Sequence, residues 1–167
     1  MTNLNFPGGR RSFLAAAGMG LATVASRSVW AAGAFLPAPQ SLADELEKAL
    51  AKGNPLIVMV SLEGCPFCRV ARDSYLEPLR RQDGMPIFQI DMRKTHSVRD
   101  FTGASVTHEQ LVQAWRVTIA PTVFFFGARG KEVAPRMEGG YIADFYGAYL
   151  DQRIEQGRAA IKAAKAG

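Results

Sequence analysis

The chain's two cysteines stand together in one short run, Cys65-Pro66-Phe67-Cys68. Two thiols at this spacing can form, open and exchange a disulfide, with one attacking and the other resolving the mixed disulfide that results. An apolar, strand-like run, Leu56 to Val60, lies just before them, and a helix-like stretch follows. A strand that hands a C-x-x-C to the first turn of a helix sets the first thiol at the helix mouth. The partial positive charge there favours the thiolate, the reactive form. Cys65 is then the nucleophile, and Cys68, one turn inside, the resolver. Pro66 suits a first turn, where its missing N–H costs nothing. Phe67 falls at the surface of the site, where packing and substrate contact both remain open. Two plainer uses of the cysteines fit less well. A structural disulfide three residues apart closes a very short loop and removes little entropy from the unfolded chain. A zinc site would need His96 and His108, spaced far wider than paired zinc histidines usually are, and there is no second C-x-x-C. Redox chemistry with no metal and no other cofactor is the expectation.

A second signature lies downstream, Ile119-Ala120-Pro121-Thr122 followed by Val123-Phe124-Phe125-Phe126. A proline cannot donate to a sheet ladder, so it belongs at the first residue of that strand. The two signatures together resemble the thioredoxin superfamily. The resemblance implies an α/β thioredoxin fold, a central mixed sheet flanked by helices, over about residues 41–156. It implies a cis peptide before Pro121, packed against the C-x-x-C, and repeats the roles given to Cys65 and Cys68. Pro66, Phe67, Ala120 and Pro121 would border the active-site groove. The Ala120 backbone could pair with an extended substrate segment by strand addition. Trp115 stands where the family usually has an aromatic residue. Gly130-Lys131-Glu132-Val133 and Gly139-Gly140-Tyr141 are similar to periplasmic thioredoxin-like proteins linked to sulfur oxidation and cytochrome maturation.

Two positions depart from the family pattern. Many thioredoxins bury a carboxylate six residues before the first cysteine, and here that residue is Met59; the tryptophan that often precedes the first cysteine is Gly64. Glu63 is nearby but expected to be solvated. His96 and His108 are expected at the surface, one in a polar loop and the other at a helix start.

The elements that must hold these residues follow from pattern. Phe35 to Pro39 reads as an extended linker, because its prolines restrict the residues before them. Ser41, with Asp44 three residues on, caps a helix whose apolar face is Leu42, Leu46, Ala49 and Leu50; Gly53 and Pro55 stop it. The run Leu56 to Val60, apolar throughout, suits a central strand covered on both faces. The helix after Cys65 carries Val70, Ala71, Leu76 and Leu79, and Pro78 should kink or end it. Ile87 to Asp91 is a second strand, and 92–106 a polar, irregular insertion. Thr107 and Gln110 cap a helix bearing Leu111, Val112 and Trp115. Thr122 to Phe126 is a third strand, turned by Gly127 to Gly130 into a fourth, Lys131 to Met137. A last helix spans about 142–154, and an Ala/Lys tail, 157–167, is expected to fray. Strands separated by a helix imply a parallel pair, and the final hairpin adds an antiparallel edge.

The first 31 residues read as a targeting segment outside the fold. Arg10-Arg11-Ser12-Phe13-Leu14 opens a short stretch of Ala, Gly and Leu with no charge until Arg27, resembling a twin-arginine export signal. That stretch is too short to span a membrane, and small residues around Ala31 suit cleavage. Removing residues 1–31 takes away three arginines and no acid, leaving 17 basic against 15 acidic residues. The remaining charge is scattered, with no basic stripe to suggest a nucleic-acid partner. The expected location is the periplasm, where specific partners rather than glutathione set the state of a disulfide. The expected function is a thiol–disulfide oxidoreductase that reduces protein disulfides. Its expected partners are a disulfide-bearing protein substrate, a membrane thiol reductase as electron donor, and the twin-arginine translocon during export. A disulfide-donating oxidase and a thioredoxin-like adaptor or redox sensor are the alternatives.

Overall fold

The structure, a computed structural model, describes residues 36–140 and 143–166, which belong to one compact unit, Ala32–Gly167. The expected signal segment lies outside the described residues. Helix α1 (Leu42–Ala51) opens on Ser41, whose side chain accepts the Asp44 N–H at 3.2 Å. Strand β1 (Leu56–Ser61) runs into helix α2 (Pro66–Ala71), a π-helical turn (Arg72–Leu76) and helix α3 (Glu77–Gln82). Strand β2 (Ile87–Asp91) follows, then a short ribbon of β3 (Ser97–Arg99) and β4 (Ser105–Thr107). Helix α4 (His108–Ala114) leads to β5 (Thr122–Phe126), β6 (Glu132–Glu138) and α5 (Ala143–Ala166).

The main sheet has the order β2-β1-β5-β6. β1 pairs with β2 in parallel and with β5 antiparallel, and β6 adds the antiparallel edge. Every residue of β1 and β5 is buried, as continuous apolar runs in a two-faced sheet require. Alternate residues feed two cores. Ile57, Met59, Val123 and Phe125 face a layer built from α2, the π turn and α5, with Cys68, Leu76, Tyr146 and Leu150. Val58, Val60, Phe124 and Phe126 face α1 and α4. Burying each such side chain contributes about 1.5–3 kcal/mol.

Four expectations need correction. The insertion at 92–106 is not wholly irregular: Val98, 2% exposed, anchors the β3–β4 ribbon to the second core. Val70 points to solvent, because the π turn after Ala71 shifts the helical face that meets the sheet. That turn accommodates Pro78, which has no N–H to give the carbonyl four residues back; the Glu77 N–H bonds Arg72 O instead. Helix α5 does not fray after Ile154. It continues to Ala166, with Ile161 buried, and Lys165 Nζ donates to the Leu50 carbonyl at 2.8 Å. Alanine and lysine are strong helix formers, so the tail's composition suits a helix once one face finds a partner. Finally, His108 is buried, not at the surface.

Candidate active site

Cys65 caps α2. Its Sγ accepts the Cys68 N–H at 3.1 Å, and Pro66 occupies the first turn as its fixed φ allows. Gly64 precedes it at φ +76°, a conformation that would strain a side-chain-bearing residue. The glycine in place of the family's usual tryptophan is therefore a requirement of this turn. Cys65 and Cys68 form a disulfide, with their Cα atoms 5.3 Å apart. The two sulfurs have different surroundings. Cys68 is buried in the core with Met59, while Cys65 is only half-buried. The accessible sulfur is the one at the helix mouth, as attack requires.

The second signature meets the first. The Ala120–Pro121 peptide is cis, and Cys65 Sγ lies 3.8 Å from the Ala120 carbonyl oxygen. Thr122 Oγ1 donates to the Ile119 carbonyl at 2.7 Å and holds this loop, while the Gly139 N–H bonds Pro121 O at 2.7 Å. Phe67 is 62% exposed and lies over Gly140, where an added Cβ would sit 2.8 Å from its ring. Ile119, also exposed, lies beside Gly139. Pro66, Phe67 and Ala120 thus flank an apolar surface around the disulfide, with Pro121 buried beneath.

The opposite flank of Cys65 is polar. A cleft of about 430 Å³ runs between α2 and the end of β2, with Cys65, Arg69, Arg72, Gln89, Asp91 and Lys94 on its walls. Apart from Cys65, sequence reasoning missed these residues. Its available signal was period two in β2, where Gln89 and Asp91 alternate with Phe88 and Ile90 and so share one face. Glu63 is solvated as expected, pairing with Lys94 at 3.2 Å. His108 Nδ1 accepts the Asp91 N–H at 3.1 Å, and burial holds its pKa below 6.5; the Asp91 carboxylate opposes this and His96 adds to it. His96 is exposed, its ring 5.8 Å from that of His108. Among the described residues no group of three or more His, Cys, Asp or Glu side chains could hold a metal ion.

Several solved structures are similar. Thioredoxin O2 from Arabidopsis thaliana, in its oxidised state, is 16% identical at a TM-score of 0.46, covering 72% of this chain and 94% of its own. A thioredoxin from Fasciola hepatica is 21% identical at 0.47, covering 73% and 99%. A DsbH oxidoreductase is 21% identical at 0.48, covering 78% and 88%. No curated protein matches the chain in sequence. The family described as "Thioredoxin-like domain" matches residues 42–154, from the first residue of α1 through both cysteines and the cis-proline strand into α5. The chain belongs to this thioredoxin-like family.

Proposed function

We propose that the protein is a periplasmic thiol–disulfide oxidoreductase that reduces protein disulfides through Cys65 and Cys68. The observation that carries this reading is the asymmetry of the pair, an accessible sulfur at the mouth of α2 and a buried one a turn inside it. Reduced Cys65 attacks a substrate disulfide and the first substrate thiolate leaves. Cys68 then attacks Cys65 Sγ and releases the second, closing the intramolecular disulfide. A membrane thiol reductase, as donor, returns two electrons to the pair.

Replacing Cys68 with Ser should trap mixed disulfides with substrate or donor, visible as bands that a reductant abolishes. Cys65→Ser should trap none, and equal trapping by both variants, or by neither, would remove the assignment. Direction is read from the potential of the pair in a dithiol buffer. A value below about −200 mV supports reduction, whereas one near −120 mV supports disulfide donation.

The location rests on Arg10-Arg11-Ser12-Phe13-Leu14. Changing both arginines to lysine should leave unprocessed precursor in the cytoplasm; undiminished processing would point to another route. Among the described residues no helix is long and apolar enough to cross a membrane.

A further inference from the structure

The polar cleft beside Cys65 has a charge pattern of its own. Its lining carries three cations, Arg69, Arg72 and Lys94, and two anions, Glu63 and Asp91. Two of the cations are already matched: Arg72 pairs with Asp73 at 2.9 Å and Lys94 with Glu63 at 3.2 Å. That leaves Arg69 and Asp91, which make no ion pair among the described residues, with each other or with anything else. Asp91 Oδ1 accepts the Gln89 Nε2–H at 2.8 Å, and this turns Gln89 so that its Oε1 is buried without a hydrogen-bond partner among the described residues. The cleft therefore offers an unmatched guanidinium on the helix wall and a carboxylate without an ion-pair partner on the strand wall. Its volume is at the small end of the range for small-molecule sites.

The geometry points to a site for the zwitterionic head of a cysteine-type disulfide. Arg69 takes the α-carboxylate, and Asp91, held by the Gln89 Nε2–H, takes the α-ammonium. The disulfide sulfur is thereby directed at Cys65. A pure anion would meet Asp91 and a pure cation would meet Arg69, whereas a zwitterion satisfies both. This assignment deepens the oxidoreductase reading and rests on it.

The exchange balances with the reduced protein as the only reductant. The Cys65 thiolate forms a bond to one sulfur of the disulfide R–S–S–R, and the S–S bond breaks to release one thiolate. The Cys68 thiol gives its proton to water and its sulfur attacks Cys65 Sγ, releasing the second thiolate. Two electrons pass from protein to ligand, and the released thiolates take up from water the protons that the Cys65 and Cys68 thiols gave to it, ending as two R–SH molecules.

The test uses the reduced protein in single turnover against four probes: cystine, cystamine, dithiodipropionate and hydroxyethyl disulfide. These carry a zwitterion, a cation, an anion and no charge, respectively. Loss of free protein thiols is followed by acid quench and alkylation, and each rate is divided by that of the same probe with free dithiothreitol, which removes differences between leaving thiols. Cystine should exceed each of the other three by about tenfold, the size expected of one charge-assisted contact. Both Arg69→Gln and Asp91→Asn should cut the ratio of cystine to hydroxyethyl disulfide about tenfold. Arg81→Gln, a charge-matched change on α3, should leave that ratio unaltered. Equal normalised rates for all four probes, or dithiodipropionate matching cystine, would overturn the site while leaving disulfide exchange intact. No reaction with any probe would overturn both.

Discussion

Met59 is fully buried in the same core cluster as Cys68. The resolving thiol must lose its proton before it can attack, and a thioether cannot accept one. Introducing an acid at this position changes stability and chemistry in opposite directions. Met59→Asp is expected to lower stability by about 2–5 kcal/mol through lost packing and an unpaired polar group. Burial would raise the new carboxyl's pKa, so the loss should deepen as pH rises through it. The same carboxylate should speed insulin-type reduction with a supplied dithiol. A destabilised variant with an unchanged rate would mean that the proton leaves by another path. The cysteines, Pro121 and this methionine were all legible in the sequence, since each is fixed by distance from a motif. That Arg69 and Asp91 line one cleft was not, because it depends on how far α2 stands from β2.

At the scale of elements, α4 is tied to β2 by one imidazole. His108 opens the helix, yet its Nδ1 bonds the backbone of Asp91, so the ring is held neutral inside the domain. Its pKa lies below the ordinary 6.5, chiefly through burial. Between the folded value and 6.5 the unfolded chain binds the proton more readily, so stability should fall as pH drops through that window. Urea midpoints measured across about pH 5 to 7.5 should show this slope. His108→Asn, which keeps an acceptor near Nδ1 but cannot ionise, should lose it. A helix start preceded by threonine reads as solvated, and that is why the sequence pointed this histidine outward; burial came from the neighbouring strand. The central strands were readable because Leu56 to Val60 and Thr122 to Phe126 are dense apolar runs. The β3–β4 ribbon was not, since Ser97-Val98-Arg99 shows only one residue of its inner face. Pro78 marked a break in the helix after Cys65 but not its form as a π turn.

For the molecule as a whole, α5 acts as a brace over its full length. Tyr146, Leu150 and Ile154 enter the core that holds Cys68; farther on, Arg158 Nε bonds Asn54 Oδ1 at 2.8 Å and Lys165 reaches the end of α1. Ile161→Ala should therefore lower stability by about 2–4 kcal/mol, as for other buried isoleucines. A frayed tail would show no change in the denaturant midpoint. Composition alone misleads here: an Ala/Lys segment is equally suited to solvent or to a helix, and only the surface it meets decides.

That brace also fixes a sequence of events. A ribosome makes α5 after the other described elements, yet the core around the resolving cysteine lacks Tyr146 and Leu150 until it arrives. A nascent chain can expose Cys65 and Cys68 long before it can enclose either of them. Throughout that interval the burial of Cys68 that separates resolver from attacker is incomplete. The enclosure that divides their labour is complete only when α5 docks.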